Sequence, residues 1–301
     1  MLFLLLACAP APADSAPPVD IRESSDLAVP DIGVQLTIGP LEVPAGEERY
    51  LCKVARLPNA EPLDVIALEH SASTSMHHFN IWGLLAGPEE AEGDCDELWA
   101  ETSMDLASPL YASQEPYFYG EFPDGVAGQF PADQLVLIEY HVINPTQTVM
   151  IVEGTFNAWA AEPGTIETYA NGIYGSIDEI TLPPHEETVL SEKCYLDVDV
   201  EVFALGSHFH SRGVLFEIFG LDETGEASDL LYSNTDYESP ALLLRSDDPL
   251  SISAGGGFEF RCHYQNDTDV TITAGETSDD EMCMMVAIYY PDQGFLRCRA
   301  E

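Results

Sequence analysis

The chain has 301 residues, of which 46% are hydrophobic and 21% are charged. It carries 53 acidic and 10 basic side chains, so its formal net charge is -43. This balance excludes the clustered Lys and Arg that nucleic-acid binding needs. It is typical of a solvated acidic surface, and attraction of cations is the other interpretation. The apolar content is enough for packed cores, and the length suits two domains.

The N-terminus is a short apolar run whose end, Leu5-Leu6-Ala7-Cys8, resembles a bacterial lipobox. We predict a lipoprotein-type signal over residues 1–8, with Cys8 lipidated, although no Lys or Arg precedes the run. Residues 9–32 are rich in Ala, Pro, Ser and Asp and predict a flexible linker. We therefore expect an exported protein, a periplasmic or cell-surface lipoprotein of a bacterium, that meets the membrane only through Cys8.

From Gly33 onward the chain consists of short apolar segments separated by Gly and Pro, which favours antiparallel β-structure. Strands are predicted in the first half at Val34–Ile38, Glu48–Val54, Asp64–His70, His77–Leu85, Leu135–Asn144 and Val149–Asn157. The stretch Glu89–Tyr119 is predicted to cross the surface, with one short helix near Asp94–Thr102.

The second half repeats this texture. Strands are predicted there at Gly172–Leu182, Tyr195–His210, Leu215–Leu221, Asp229–Ser233, Leu250–Ser253, Gly257–Tyr264, Val270–Thr273 and Met284–Tyr290. We therefore predict an all-β protein of two tandem antiparallel β-sandwich domains, residues 33–168 and 169–301.

Six cysteines remain when Cys8 is set aside: Cys52, Cys95, Cys194, Cys262, Cys283 and Cys298. The number is even, and none of them forms a C-x-x-C motif. In an exported protein this pattern predicts three disulfides, and the sequence alone leaves all 15 pairings open.

His208-Phe209-His210 places two imidazoles on one face of a predicted strand, because strand side chains alternate. Taken alone, the pair fits structural histidines as well as metal ligands. Imidazoles suit several metals, whereas a methionine sulfur favours Cu(I). Met282 is a candidate for that sulfur because a polar loop precedes it.

A second candidate set is His77, His78 and His141, which could present three imidazoles to one metal. Adjacent residues on a regular strand face opposite ways, so His77 and His78 can share a metal only at a strand end or a bulge. The remaining histidines, His70, His185 and His263, lack further ligands nearby in the sequence and are interpreted as structural or exposed.

Read together, these motifs resemble the copper type II, ascorbate-dependent monooxygenases, which include the peptidylglycine alpha-hydroxylating and dopamine beta-monooxygenases and their bacterial relatives. The resemblance runs in order along the chain through Tyr50-Leu51-Cys52, His77-His78, His141, Gly172-Ile173-Tyr174, Leu182-Pro183-Pro184, Cys194, His208-x-His210, Gly275 to Cys283, and Tyr289-Tyr290.

The resemblance implies two jelly-roll-like domains that each carry one copper and are separated by an open cleft. His77, His78 and His141 would hold the electron-transfer copper. His208, His210 and Met282 would hold the copper at which oxygen reacts, and they are the catalytic candidates. The implied disulfides are Cys52–Cys95, Cys194–Cys298 and Cys262–Cys283.

The sequence departs from the peptidylglycine enzyme around the second set. Gly206 stands where that enzyme has an arginine that anchors a peptide carboxylate, and Met284 and Val286 replace an asparagine and a tyrosine. An amidating peptide hydroxylase is therefore not expected. Met284 and Val286 predict a more apolar pocket, or alternatively belong to the core. Glu139 is either a surface acid or a group that supports a ligand.

Three functional interpretations follow. The first is a dicopper monooxygenase that hydroxylates a C–H bond of a small organic substrate with O2 and a one-electron reductant such as ascorbate. The second is an exported copper-capture protein without catalysis. The third, a cupin-like iron enzyme built on His208, His210 and Glu217, leaves the cysteines and Met282 unexplained.

Overall fold

The computed structural model describes residues 27–102, 108–275 and 277–298. Strands make up 58% of it and helix 3%, so the all-β prediction is confirmed. The predicted signal, including Cys8, and most of the predicted linker lie outside the described residues. In the described part of the chain, no helix has the length and apolar character needed to cross a membrane.

The N-terminal half, up to residue 169, contains one short helix, α1 (Cys95–Glu101), and eleven strands among the described residues. The strands are β1 (Gly33–Val43), β2 (Glu48–Arg56), β3 (Leu63–Ala72), β4 (Met76–Leu84), β5 (Ala91–Asp94), β6 (Ser108–Ser113), β7 (Tyr117–Glu121), β8 (Val126–Phe130), β9 (Leu135–Ile143), β10 (Met150–Ala160) and β11 (Thr168–Tyr169).

The C-terminal half, from residue 171, contains twelve strands among the described residues. They are β12 (Asn171–Ser176), β13 (Thr181–Leu182), β14 (Glu186–Tyr195), β15 (Val200–Phe209), β16 (Gly213–Leu221), β17 (Ala227–Asn234), β18 (Leu243–Leu244), β19 (Leu250–Ile252), β20 (Gly257–Asn266), β21 (Ile272–Thr273), β22 (Cys283–Tyr290) and β23 (Leu296–Arg297).

Two sheets face each other in the N-terminal half. One has the strand order β1-β10-β3-β8-β11 with β7 beside β3, and the other has the order β5-β2-β9-β4-β6. Alternate residues of β9 such as Ile138 and Tyr140 pack into the main core between the sheets. The residues in between, such as Leu137, form a second cluster on the outer face, which α1 covers through Leu98. This covered outer face is where Glu139 and His141 lie.

The C-terminal half repeats the arrangement. Its sheets have the orders β18-β15-β22-β12-β23 and β14-β20-β16-β17, and its core lies between them. Asn144 and Asn266 mark corresponding positions, because each donates to three backbone carbonyls and accepts from the threonine two residues later.

An apolar cluster joins the two halves. Val126 and Phe122 of the N-terminal half pack with Phe203 and Ala204 of β15, and the rings of Phe122 and Phe203 lie 5.3 Å apart. This contact packs the β15–β22 sheet of the C-terminal half against the N-terminal half. The histidines at the end of β15 are thereby brought toward those of β4 and β9.

The structure contains strands that were not predicted, among them β8, β11, β18 and β23, which lie outside every predicted segment. The stretch predicted as a surface crossing contains β5, β6 and β7 as well as the expected helix. Strand β14 was absent from the prediction because it is an edge strand with mostly exposed or half-buried residues, so it has no apolar alternation.

Candidate metal centre

The first histidine set lies on the outer face of the β2–β9–β4 sheet. His141 of β9 pairs in register with Tyr50 of β2 on one side and with His78 of β4 on the other. Directly opposed residues share a face, so the three rings are neighbours. Tyr50 stacks on His141 with ring centroids 3.8 Å apart, and the centroids of His78 and His141 are 4.7 Å apart.

A bulge brings His77 into the same set. The register of β4 against β9 shifts between Met76 and His78, which is the irregularity that two adjacent histidines need in order to converge. The ring centroid of His77 lies 4.7 Å from that of His141 and 5.5 Å from that of His78. One nitrogen from each of these three histidines lies within 4.8 Å of the other two.

The nitrogens of this set are oriented for a metal. His141 Nε2 lies 2.8 Å from Glu48 Oε1. A carboxylate accepts a hydrogen bond, so this contact places the proton on Nε2 and leaves the lone pair on Nδ1. Nδ1 of His141 and Nδ1 of His77 are buried and have no hydrogen-bond partner among the described residues. Buried polar atoms without partners are rare, and a bound metal satisfies them.

Glu139 is a buried group that supports the set and not a surface acid. Its carboxylate accepts from Asn80 Nδ2 at 2.8 Å and from Trp99 Nε1 at 3.2 Å, and Oε1 lies 3.6 Å from His78 Nδ1. Asn80 Nδ2 also lies 3.1 Å from His78 Nδ1, so Glu139 holds the amide that contacts and orients the His78 ring.

The second histidine set lies at the end of β15. The ring centroids of His208 and His210 are 5.0 Å apart, as expected for two residues on one strand face. His208 Nδ1 lies 2.7 Å from Gln114 Oε1, and His210 Nδ1 lies 3.0 Å from the backbone carbonyl of Asp280. With Nδ1 engaged in both rings, each presents its Nε2 atom.

Met282 stands one residue beyond the paired end of β22. His208 pairs with Met284 and Phe209 with Cys283, and the same register continued by one residue would set Met282 opposite His210. A cavity of about 230 Å3 adjoins Met282 and Met284.

Glu281 fixes the turn that carries His210. It is fully buried, and its carboxylate accepts from the backbone N–H groups of His210 at 3.1 Å and Arg212 at 2.7 Å. Burial raises the pKa of Glu281 to about 7, and the two N–H donors oppose that shift.

The two sets adjoin each other, so the open cleft implied by the resemblance is not present in this structure. The ring centroids of His77 and His210 are 6.3 Å apart. Hydrogen bonds cross between the halves at the same place, from Ser278 Oγ to Glu48 Oε2 at 3.2 Å and between His208 and Gln114.

All five imidazoles of the two sets are neutral at pH 7. Burial, and after it repulsion by the neighbouring imidazoles, lowers the pKa of His141 to about 3. Burial followed by mutual repulsion likewise lowers the pKa of His77, His78 and His208, and burial lowers that of His210. Neutral imidazoles are the form that ligates metals.

The surface beside His208 is apolar. A Cβ atom on Gly206 would lie 2.9 Å from Leu242 Cδ1 and 3.1 Å from Val286 Cγ2, so these two side chains fill the space of the arginine expected in the peptidylglycine enzyme. Val286 is 36% exposed, and Met284 shares its face, while Cys283 and Met285 point into the core. The alternative that Met284 and Val286 belong to the core is therefore wrong.

The other histidines stand apart from both sets. His70 is buried between Tyr111 and Glu115, His185 pairs with Asp269, and His263 Nε2 lies 2.9 Å from Glu217 Oε2. His263 precedes Asn266 by three residues as His141 precedes Asn144, but the residue opposite His263 is Leu215 and not a second histidine. Glu217 belongs to the other sheet of the C-terminal half, which removes the basis for the cupin-like interpretation.

Three disulfides join the six cysteines of the described chain in the pairs that the resemblance implies: Cys52–Cys95, Cys194–Cys298 and Cys262–Cys283. Disulfides of this kind persist in oxidising compartments, which indicates an exported protein. Cys52 and Cys95 lie near Glu139, but as a disulfide they offer no thiolate to a metal.

Comparison with known proteins agrees with this geometry. Residues 169–301 match the family described as "Copper type II ascorbate-dependent monooxygenase, C-terminal domain". This match and the relatives described below support the resemblance of the chain to the copper type II, ascorbate-dependent monooxygenases. The N-terminal half, which the family match does not cover, carries the His77–His78–His141 set.

Two proteins that the chain is similar to come from Xenopus laevis. Peptidyl-glycine alpha-amidating monooxygenase A is 26% identical over 264 residues, which cover 84% of this chain and 27% of the relative. Form B is 24% identical, with 84% and 29% covered. The chain thus spans about a quarter of the length of these relatives. Among solved structures, the major capsid protein P2 from Bacteriophage PM2 aligns over 87% of this chain and 99% of that one, at 10% identity and a TM-score of 0.28.

Three residues at the site have no role assigned by the sequence analysis. Glu48 and Tyr50 occupy alternate positions of β2 and could have been linked to His141 through strand pairing. Gln114 carries no local signal, because it is 94 residues away from the histidine that it contacts.

Proposed function

We propose that this chain is a dicopper monooxygenase that hydroxylates a C–H bond of a small organic substrate with O2. One oxygen atom enters the product and the other leaves as water, with two protons and two electrons taken up. A one-electron reductant such as ascorbate supplies the electrons. The observation that carries the proposal is the adjacency of two histidine sets, in which Nδ1 of His77 and of His141 is buried without a partner among the described residues and Nδ1 of His208 is held by Gln114.

Each set is proposed to hold one copper. His77, His78 and His141 provide three imidazoles, and the unpartnered Nδ1 atoms of His77 and His141 fit a metal. His208 and His210 provide two Nε2 atoms, and Met282 provides a soft thioether. Copper bound at these residues would supply one-electron redox chemistry and O2 activation.

This chain's own groups prepare that chemistry. Glu48 holds the proton of His141 on Nε2, and Asp280 holds that of His210 on Nδ1, so both rings keep the tautomer that ligation needs. Tyr50 covers one face of His141 and restricts the movement of its ring.

The substrate is proposed to bind beside Met282 and Met284. Leu242 and Val286 fill the position from which an arginine would bind a carboxylate. We therefore expect a substrate without a carboxylate near its reacting carbon.

Oxygen consumption driven by ascorbate tests the proposal. The copper-loaded wild type should consume O2 in proportion to hydroxylated product in a screen of small neutral compounds. Met282→Ala should lose this turnover and keep copper at the His77–His78–His141 set. The absence of reductant-driven turnover from a protein that holds two coppers would instead favour copper capture.

A further inference from the structure

Gln114 connects the N-terminal half to a ligand of the C-terminal half. It follows β6 and is 8% exposed. Its Oε1 atom lies 2.7 Å from His208 Nδ1, and its Nε2 atom donates to the backbone carbonyl of Tyr237 at 3.1 Å. Both contacts are with the C-terminal half, so one buried amide from the first half holds two groups of the second.

The contact with Tyr237 fixes the orientation of the Gln114 amide. A backbone carbonyl only accepts, so the NH2 group of Gln114 must face Tyr237, and the oxygen is left to face His208. An amide oxygen also only accepts. His208 must therefore carry its proton on Nδ1 and present the lone pair of Nε2.

The segment that carries Gln114 is anchored in the core of the N-terminal half. His70 Nε2 lies 2.6 Å from the carbonyl of Glu115, and Ala72 N–H donates to the carbonyl of Pro116 at 2.8 Å. His70 is held from its other side by Tyr111, whose hydroxyl meets Nδ1. The backbone beside Gln114 is thus held by the N-terminal half, and its amide is held by the Tyr237 carbonyl of the C-terminal half.

We infer that Gln114 is a positioning residue for His208, and that through it metal binding at the His208–His210–Met282 set is coupled to the docking of the two halves. The inference rests on the proposed function only in taking this set to bind copper. By linkage, docking that orients His208 strengthens metal binding, and metal binding strengthens docking by the same factor.

Copper affinity measured site by site tests this role. The probe is Cu(I), titrated against a competing chelator, on wild type, Gln114→Leu and the exposed control Gln293→Leu. Gln114→Leu should bind one copper with wild-type affinity and the other about 10- to 100-fold more weakly, as is typical when a hydrogen bond behind a ligand is lost. Gln293→Leu should match wild type at both sites.

Two further variants separate positioning from general damage to the fold. Gln114→Glu keeps an oxygen for His208 and loses the donor to Tyr237. The copper affinity of its weaker site should therefore lie between those of wild type and Gln114→Leu. The double variant Gln114→Leu/His208→Ala should bind its single copper with the same affinity as the single variant His208→Ala. If Gln114→Leu weakened both sites equally, Gln114 would be a structural residue only.

The outcomes distinguish this inference from the proposed function. A wild type that binds fewer than two coppers would contradict the proposed function itself. A wild type with two coppers, together with a Gln114→Leu variant of unchanged affinity at both sites, would overturn the role of Gln114 and leave the proposed function standing.

Coupling to docking has its own readout. Copper loading of the wild type should slow amide hydrogen exchange around Tyr237 and in β7, where the halves meet. In Gln114→Leu, saturated with copper, this protection should be reduced. Equal protection in both proteins would contradict the coupling.

Discussion

Acid should destabilise the fold through His70, the residue that anchors the Gln114 segment. His70 is fully buried, and burial lowers its pKa from 6.5 to about 4, with the hydrogen bond to the Glu115 carbonyl opposing the shift. Below pH 6.5 the unfolded chain therefore binds a proton at this residue that the folded chain does not. Stability is retained above pH 6.5 and is lost as the pH falls toward 4.

The size of this effect follows from the two pKa values. At pH 5, protonation stabilises an unfolded histidine of pKa 6.5 by about 2 kcal/mol and a folded one of pKa about 4 by less than ~0.1 kcal/mol. Wild type should thus lose about 2 kcal/mol of stability between pH 7 and pH 5 through His70 alone. The acidic residues and the two histidine sets also titrate, but a His70→Gln variant retains all of them.

Urea unfolding at pH 7 and pH 5 measures the difference. His70→Gln is expected to be less stable than wild type at pH 7, because its hydrogen bonds are imperfect, but to lose about 2 kcal/mol less on acidification. The exposed His185→Gln serves as the control and should follow wild type to within about 0.5 kcal/mol. If His70→Gln lost as much stability as wild type, the buried neutral state of His70 would be refuted.

Three further outcomes are expected. Glu281→Ala removes the acceptor of the backbone N–H groups of His210 and Arg212. Thermal unfolding should therefore show a loss of about 2 to 4 kcal/mol of stability, and Cu(I) titration should show weaker binding of one copper. Replacing Cys262 and Cys283 with serine opens a loop of 21 residues and should lower the free energy of unfolding by about 3 kcal/mol in urea, whereas wild-type stability would show that this bridge is dispensable. Glu217 lies on the opposite sheet of the C-terminal half, so Glu217→Ala should leave the metal content, measured by elemental analysis, unchanged. A loss of iron or copper would indicate that this carboxylate binds the metal.

The sequence was sufficient for those parts of the fold and site that depend on local pattern. Alternation along β4, β9 and β15 identifies the strands that carry the histidines, and it puts His208 and His210 on one face. The adjacent His77 and His78 can share a metal only at a strand end or a bulge, and β4 has a bulge between Met76 and His78. These features follow from strand geometry, which acts over a few residues.

The remaining features depend on contacts between distant segments. Strand β14 has no apolar alternation because one of its faces is exposed at the sheet edge and its half-buried face carries polar residues such as Thr188 and Glu192. The closeness of His77 to His210 results from the packing of Phe122 on Phe203, which joins the two halves. Gln114 acquires its contact only when the halves meet.

The metal content of the purified protein tests the central claim most directly. Copper per chain should be measured by elemental analysis after reconstitution and desalting, for wild type and for His208→Ala. Wild type should hold about two coppers and His208→Ala about one, because the His77–His78–His141 set is untouched. One copper or none in the wild type, or retention of zinc or iron instead, would contradict the account.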